Sequence, residues 1–267
     1  MSFSGNPQVA PAPSPVLLIT RAVLLETMRR RDFYALFIFM ALFLLGALIT
    51  LVVGIPNAAT ATFLVNLGLS MAFLFAKILT LLVATRQIPD ECEARTIHPL
   101  LAKPVRRWQY LLGKWFAATL SGTIALSILF LMGWAPIPHL ETFNAVTLLQ
   151  TLLLQIVSLG FVASLGLLFS LLMPKIMSVV LLAIVIFEGD SIAGFIRARS
   201  LGSTFGSVCR WVAGYVPDFN HLDLTRLYTD GLPPLGPTDL LLRLGYGVGL
   251  TFVYLVIANA VFSRRSL

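Results

Sequence analysis

Six apolar windows, each near the length that crosses a bilayer as a helix, divide this 267-residue chain, with polar breaks between them. A hydrocarbon core of ~30 Å needs about 20 apolar residues in a helix. The windows fall at 34–54, 62–84, 115–135, 146–172, 176–189 with a few flanking residues, and 240–262. In lipid, every backbone polar group must be satisfied within the structure, which leaves helices as the form these windows take. Composition agrees: the chain is 58% hydrophobic and 12% charged, with a mean hydropathy of +0.90, too apolar for a soluble domain of this size. The expected fold is an all-α integral membrane protein, with a six-span transmembrane domain over 34–267.

The net charge of +7 raises the question of a nucleic-acid partner, but the placement of the basic residues answers a different one, orientation. Arg21, Arg29, Arg30 and Arg31 precede the first window, six Lys or Arg lie within 86–114, Lys175 sits between windows four and five, and Arg264 and Arg265 close the chain. The short opposite loops, 55–61 and 136–145, carry none. Basic residues collect on the cytoplasmic side, so both termini and the 86–114 segment are expected inside, in a bacterial inner membrane. Arg197, Arg199, Arg210, Arg226 and Arg243 fall in or beside one long outer segment, where charge counts weigh less because long loops translocate regardless. This topology separates Cys92 from Cys209, so no intrachain disulfide is expected.

Residues 1–15, rich in Pro, Ser, Ala and Gly, read as a disordered leader rather than a cleavable signal. Residues 16–33 are too charged to span. Leu17, Leu18, Leu24, Leu25 and Met28 share an arc of a helical wheel, with Arg21 in the same arc, so the segment reads as an interfacial elbow helix or as a basic stop before the first span. Lys77, inside the second window, either snorkels to headgroups or lines a pathway. Window four holds Ser158, Gly160, Ala163, Ser164, Gly166 and Ser170, and window six holds Gly245, Gly247 and Gly249, small residues that let helices approach closely. Met173, Pro174 and Lys175 make a tight inner turn. Residues 190–237 form an outer cap, with Trp211 and Tyr215 suited to the interfacial belt, and Pro237, Thr238 and Asp239 start the last helix.

Recognisable catalytic chemistry is missing from the sequence. Asp90, Glu91, Cys92, Glu93 and His98 are metal-ligand types, but their spacing fits no closed zinc pattern and basic residues surround them, so they read as a salt-bridged loop. No GxSxG, HExxH or paired intramembrane Asp occurs. Gly113 and Lys114 are not followed by Ser or Thr and have no glycine five residues before, so no phosphate-cradling loop forms and ATP would have to sit on another chain.

The segment PDECEARTIHPLLAKPVRRWQYLLGKW, at 89–115, carries the functional signal. Its part EARTIHPLLAKPVRRWQYLLGKW resembles the signature between the second and third spans of permease subunits of the type-2 ABC exporter family. The matching residues are Glu93, Arg95, Thr96, Leu100, Leu101, Lys103, Pro104, Val105, Arg106, Arg107, Leu112, Gly113 and Lys114. ETMRRRDF before the first window, the six-span layout and YVPDFNHLDL at 215–224 are also similar. The resemblance implies a homodimeric or pseudo-dimeric permease whose 86–114 segment forms a cytoplasmic coupling helix in a groove of a separate ATPase, which binds ATP and Mg. It also implies that the outer cap makes short re-entrant helices closing an exit path. Pro99 and Pro104 would break the segment into short rigid pieces, Glu93 and Arg95 could pair with the partner, and Trp108 and Tyr110 could anchor it at the interface.

The expected partners are this ATPase, a second permease chain, membrane lipid and, in one alternative, periplasmic proteins, with no nucleic acid. In that alternative the chain relays ATPase motion to periplasmic partners without transporting anything. A secondary transporter is the other, and it would call for intramembrane acids or broken helices in repeated positions, whereas the deep charge here is Lys77.

Overall fold

The computed structural model describes residues 14–30, 34, 38, 41, 42, 44–46, 48, 49, 58–93, 106–134, 144–198, 219–225, 227 and 232–264. Among the described residues there is no strand. The helices with defined bounds are α1 Pro15–Arg29, α2 Ala58–Glu93, α3 Arg107–Trp134, α4 Ala145–Leu172, α5 Lys175–Ala198 and α6 Pro237–Arg264, with a 3-10 turn at Phe219–Leu222. Residues 34, 38, 41, 42, 44–46, 48 and 49, inside the first apolar window, are helical as well. Four stretches among the described residues are long and apolar enough to cross a membrane: Val65–Glu93, Arg107–Leu131, Ala145–Leu172 and Pro237–Arg264.

Local chemistry sets most of the helix ends. Pro15 opens α1, where its missing N–H is no loss. The Asn144 side chain accepts a hydrogen bond from the Val146 N–H at 2.9 Å and caps α4. Pro174 follows the last turn of α4, where it cannot continue the helix. The Ser178 hydroxyl, 2.9 Å from the Phe169 carbonyl, ties the start of α5 to the end of α4. The turn at Met173 and Pro174 therefore has the tightness expected of it. Pro237 occupies the first position of α6, a place proline favours, and the Leu240 N–H reaches the Gly236 carbonyl at 3.0 Å.

Several boundaries differ from those the apolar windows suggest. Helix α2 does not stop where its window ends at 84 but continues through Glu93, carrying Pro89 within it, and α3 begins at Arg107 rather than 115. Helix α2 has 36 residues. At a rise of about 1.5 Å per residue it is longer than a hydrocarbon core of about 30 Å, so its end projects beyond the apolar layer with its backbone still internally bonded. Helix α5 likewise runs on to Ala198, so residues 190–198, assigned above to the outer cap, are a continuation of that helix.

The centre of the fold is α4. Of its most apolar stretch 72% is buried, against 11% for α6, which therefore lies at the edge. Val65, Leu69 and Phe73 of α2 pack with Leu126 and Leu129 of α3 and Leu159 of α4. Phe161 and Leu165 of α4 meet Leu81 of α2, Leu182 and Ile186 of α5, and Phe219 of the 3-10 turn. The small residues of α4 serve this close packing. Ser158, Ala163, Ser164 and Ser170 are buried, and a Cβ on Gly166 would lie 2.6 Å from that of Ala84. In α6 the three glycines divide. A Cβ on Gly247 would meet Val157 at 2.5 Å, whereas nothing lies within 4 Å of Gly245 or Gly249.

Helix α1 has two faces. Leu17, Leu18, Leu25 and Met28 are exposed, while Thr20, Val23 and Thr27 are buried on the opposite side against α3. Gly113 permits this approach, since a Cβ there would stand 2.9 Å from Ile19, and the Thr20 hydroxyl lies 3.1 Å from the Gly113 carbonyl. Residues 31–33 of the expected elbow lie outside the described residues, as does the leader up to residue 13.

Candidate functional site

The extension of α2 past its apolar window brings Gln87, Asp90, Glu91 and Glu93 to one end of the helices, next to the start of α3, the end of α1, the turn between α4 and α5, and the end of α6. The 94–105 segment leaves from this end and returns to it, because Glu93 and Arg106 flank it.

Asp90 and Glu91, neighbours in the last turn of α2, engage different elements. Asp90 accepts from Arg30, just past α1, at 2.9 Å, and is also paired with Lys175 at the start of α5. Arg30 reaches back to Glu26 at 2.8 Å. Burial works against the Arg30 charge, but hydrogen bonds and Coulomb attraction from Glu26 and Asp90 outweigh it and hold the guanidinium above its ordinary pKa. Glu91 pairs with Lys114 of α3 and accepts from the Tyr110 hydroxyl. The Lys114 ammonium also lies 3.4 Å from the Gln87 carbonyl and 5.4 Å from the centre of the Tyr110 ring, which stacks on Phe262 of α6 at 5.7 Å. Beneath these charges Ile88, Tyr110, Leu111, Leu167, Leu171 and Phe262 form an apolar floor.

Of the residues expected at an ATPase-coupling surface, Glu93 and Arg106 are exposed at the two ends of the connecting segment. The Arg106 N–H donates to the Gln109 side chain at 3.2 Å. This is half of a capping box at the start of α3. Arg107 donates to the carbonyls of Phe262 at 3.2 Å and Ser263 at 2.7 Å. A cation at that end of α6 also suits the helix dipole. Arg95, Thr96, Leu100, Leu101, Lys103 and Pro104 lie outside the described residues. Lys114 departs from the coupling surface expected of it. It is 1% exposed and satisfied by Glu91, so it braces α2 against α3 and has no surface to offer a docking partner.

Asp90 and Glu91 change their reading too. They sit in a helix rather than a loop, while the salt bridging expected of them is present, from Asp90 to Arg30 and Lys175 and from Glu91 to Lys114. Among the described residues no group of three or more His, Cys, Asp and Glu could hold a metal ion. Gly113 and Lys114, rejected above as a phosphate loop, are helical, the one packed on α1 and the other paired with Glu91. Lys77 is half-buried on α2 within its apolar stretch.

Sequence reasoning had a signal for part of this arrangement. In an antiparallel pair of helices joined by 94–105, residues at similar offsets from the middle of the joint meet, and Glu91 with Tyr110 comes close to that spacing, whereas Lys114 lies one turn further along α3. No such local rule joins Asp90 to Lys175, 85 positions away.

The sequence matches no curated protein. A family model described as an ABC-2 family transporter protein matches residues 17–267, which takes in most of α1, the paired-charge end and α2 to α6. A multi-pass membrane protein with this match from its first helix to its last residue belongs to the ABC-2 transporter family.

Proposed function

We propose that this chain is the permease subunit of an ATP-driven transporter, an exporter, in which a separate cytoplasmic ATPase binds ATP and Mg and engages the 94–105 segment with its flanks. Two permease chains complete the assembly, as a homodimer or with a related subunit. The charged end of the helices faces the cytoplasm in the inner membrane, together with both termini, and the chain makes six spans.

One observation carries this reading. The stretch between Glu93 and Arg106 starts and ends at a junction where α1, α2, α3, α5 and α6 are joined by ion pairs and charge-assisted hydrogen bonds. Force applied there would reach five elements at once, which is what a subunit lacking a phosphate loop needs if another chain does the hydrolysis. The basic residues at this end, Arg29, Arg30, Arg107, Lys175 and Arg264, favour its placement inside. Exposed apolar residues of α6 such as Leu241, Leu242, Val248 and Phe252 suit contact with lipid.

The test is reconstitution with the candidate ATPase. The pure chain is expected to turn over no ATP, and the complex is expected to hydrolyse it at a rate the permease raises. Charge reversal at the segment, Glu93→Lys or Arg95→Glu, is expected to abolish partner binding or the stimulation. A desolvated interface charge left unpaired costs about 2–5 kcal/mol, while a solvated one changes little. Wild-type stimulation by both reversed variants, in inserted and folded protein, would refute the assignment.

A further inference from the structure

We infer that Asp90 is a positioning residue for energy coupling: it passes movement of the 94–105 segment to α1 and α5 through its two ion pairs. This rests on the reading that an ATPase engages that segment.

Three observations lead there. First, Asp90 lies in the last turn of α2, immediately after Pro89, which has no N–H to give the Thr85 carbonyl. The Thr85 hydroxyl bonds back to the Leu81 carbonyl at 2.7 Å. Such back-bonding is a second feature that bends helices. Pro89 thus leaves the tip of α2 joined to the rest of the helix by one backbone hydrogen bond fewer, and this turn adjoins the connecting segment. Second, the Asp90 carboxylate divides its oxygens between elements far apart in sequence. One meets Arg30 at 2.9 Å, past the end of α1, and the other meets Lys175, at the start of α5. Third, neighbouring Glu91 is committed to Lys114 and Tyr110 of α3, so the two acids fasten the tip on separate sides. A displacement at Glu93 moves Asp90 less than one turn away, and a bridging carboxylate can carry or exchange its partners without repacking an apolar core. Lys175 begins the helix entered through the tight turn after α4, so movement there shifts α5 against the central helix.

A static clamp and a transmission element make different predictions. In the reconstituted complex, Asp90→Asn, Arg30→Gln and Lys175→Gln are expected to bind the ATPase with wild-type affinity yet show permease-stimulated ATP turnover reduced by about 2- to 30-fold, the range of mutations along a coupling network. Asp90→Asn combined with Lys175→Gln should cost no more than the larger single loss, because Lys175→Gln removes a connection that Asp90→Asn has already removed. Asp239→Asn, exposed at the other end of α6, is the control and should leave turnover unchanged. Should Asp90→Asn fail to fold, Lys175→Arg, which keeps the charge, should restore what Lys175→Gln loses. If the variants unfold at lower temperature but stimulate turnover normally per folded complex, the pairs are a clamp and the inference falls while the proposed function stands. If the wild-type chain neither binds nor stimulates the ATPase, the proposed function falls and takes this inference with it.

Discussion

A lysine with 1% of its side chain exposed decides how the charged end is read. Burying an ammonium is costly unless a partner compensates, and Glu91 is the compensation. The two halves of the pair are unequal, since Glu91 keeps 22% exposure and a hydrogen bond from Tyr110 when Lys114 is removed, while Lys114 without Glu91 is left charged in a closed site. Glu91→Gln is therefore expected to destabilise by about 3–5 kcal/mol, and Lys114→Met by clearly less. Thermal unfolding of the purified variants in detergent measures the order, and a larger loss for Lys114→Met would contradict the account of the site. The sequence identified Lys114 as part of a motif, but motif membership cannot say whether a side chain points out or in. Here the register of α3 against α2 turns it inward.

At the scale of the helices, close approach separates residues that look alike in the sequence. Gly166 and Gly245 both read as packing residues, yet only the first has a neighbour that forbids a side chain. Gly166→Ala would press its Cβ against Ala84, a backbone-anchored atom that cannot swing aside. Overpacking of this kind costs about 1–3 kcal/mol. Gly245→Ala enters open space and removes a flexible residue from a helix interior, so it is expected to be neutral or to stabilise by up to about 1 kcal/mol. Unfolding temperatures of the two variants test this directly, and equal losses would mean that the α2–α4 approach is not as close as described. The α1 helix repeats the lesson. Of the Leu17, Leu18, Leu24, Leu25 and Met28 arc legible from periodicity, all but the half-buried Leu24 are exposed, but the packing of Thr20 against Gly113 on the other face depends on where α3 begins.

For the whole molecule, orientation links the charge pattern to the proposed coupling. Cys92 is exposed in the last turn of α2, beside the acids that bind α1, α3 and α5. In a chain with Cys209→Ser, an impermeant thiol reagent should label Cys92 in inside-out vesicles and leave it untouched in sealed intact cells. Labelling in intact cells would reverse the orientation and remove the segment from reach of a cytoplasmic ATPase.

The membrane class, the helical character and the approximate position of four apolar spans followed from the sequence alone, because backbone satisfaction in lipid and the length of an apolar run are local properties. So did the motif around 93–114 and the family resemblance it carries. Helix ends were less legible where polar residues extend a helix past the lipid, as in α2 through Glu93 and α3 from Arg107: composition marks the edge of the apolar layer, not the end of the hydrogen-bonded coil. Which charges are exposed and which hold the protein together was decided only by the fold. Asp90 meets Lys175 across 85 positions, and Arg107 reaches the last carbonyls of α6, because helices remote in the chain end at the same place, and no pattern along the sequence records that convergence.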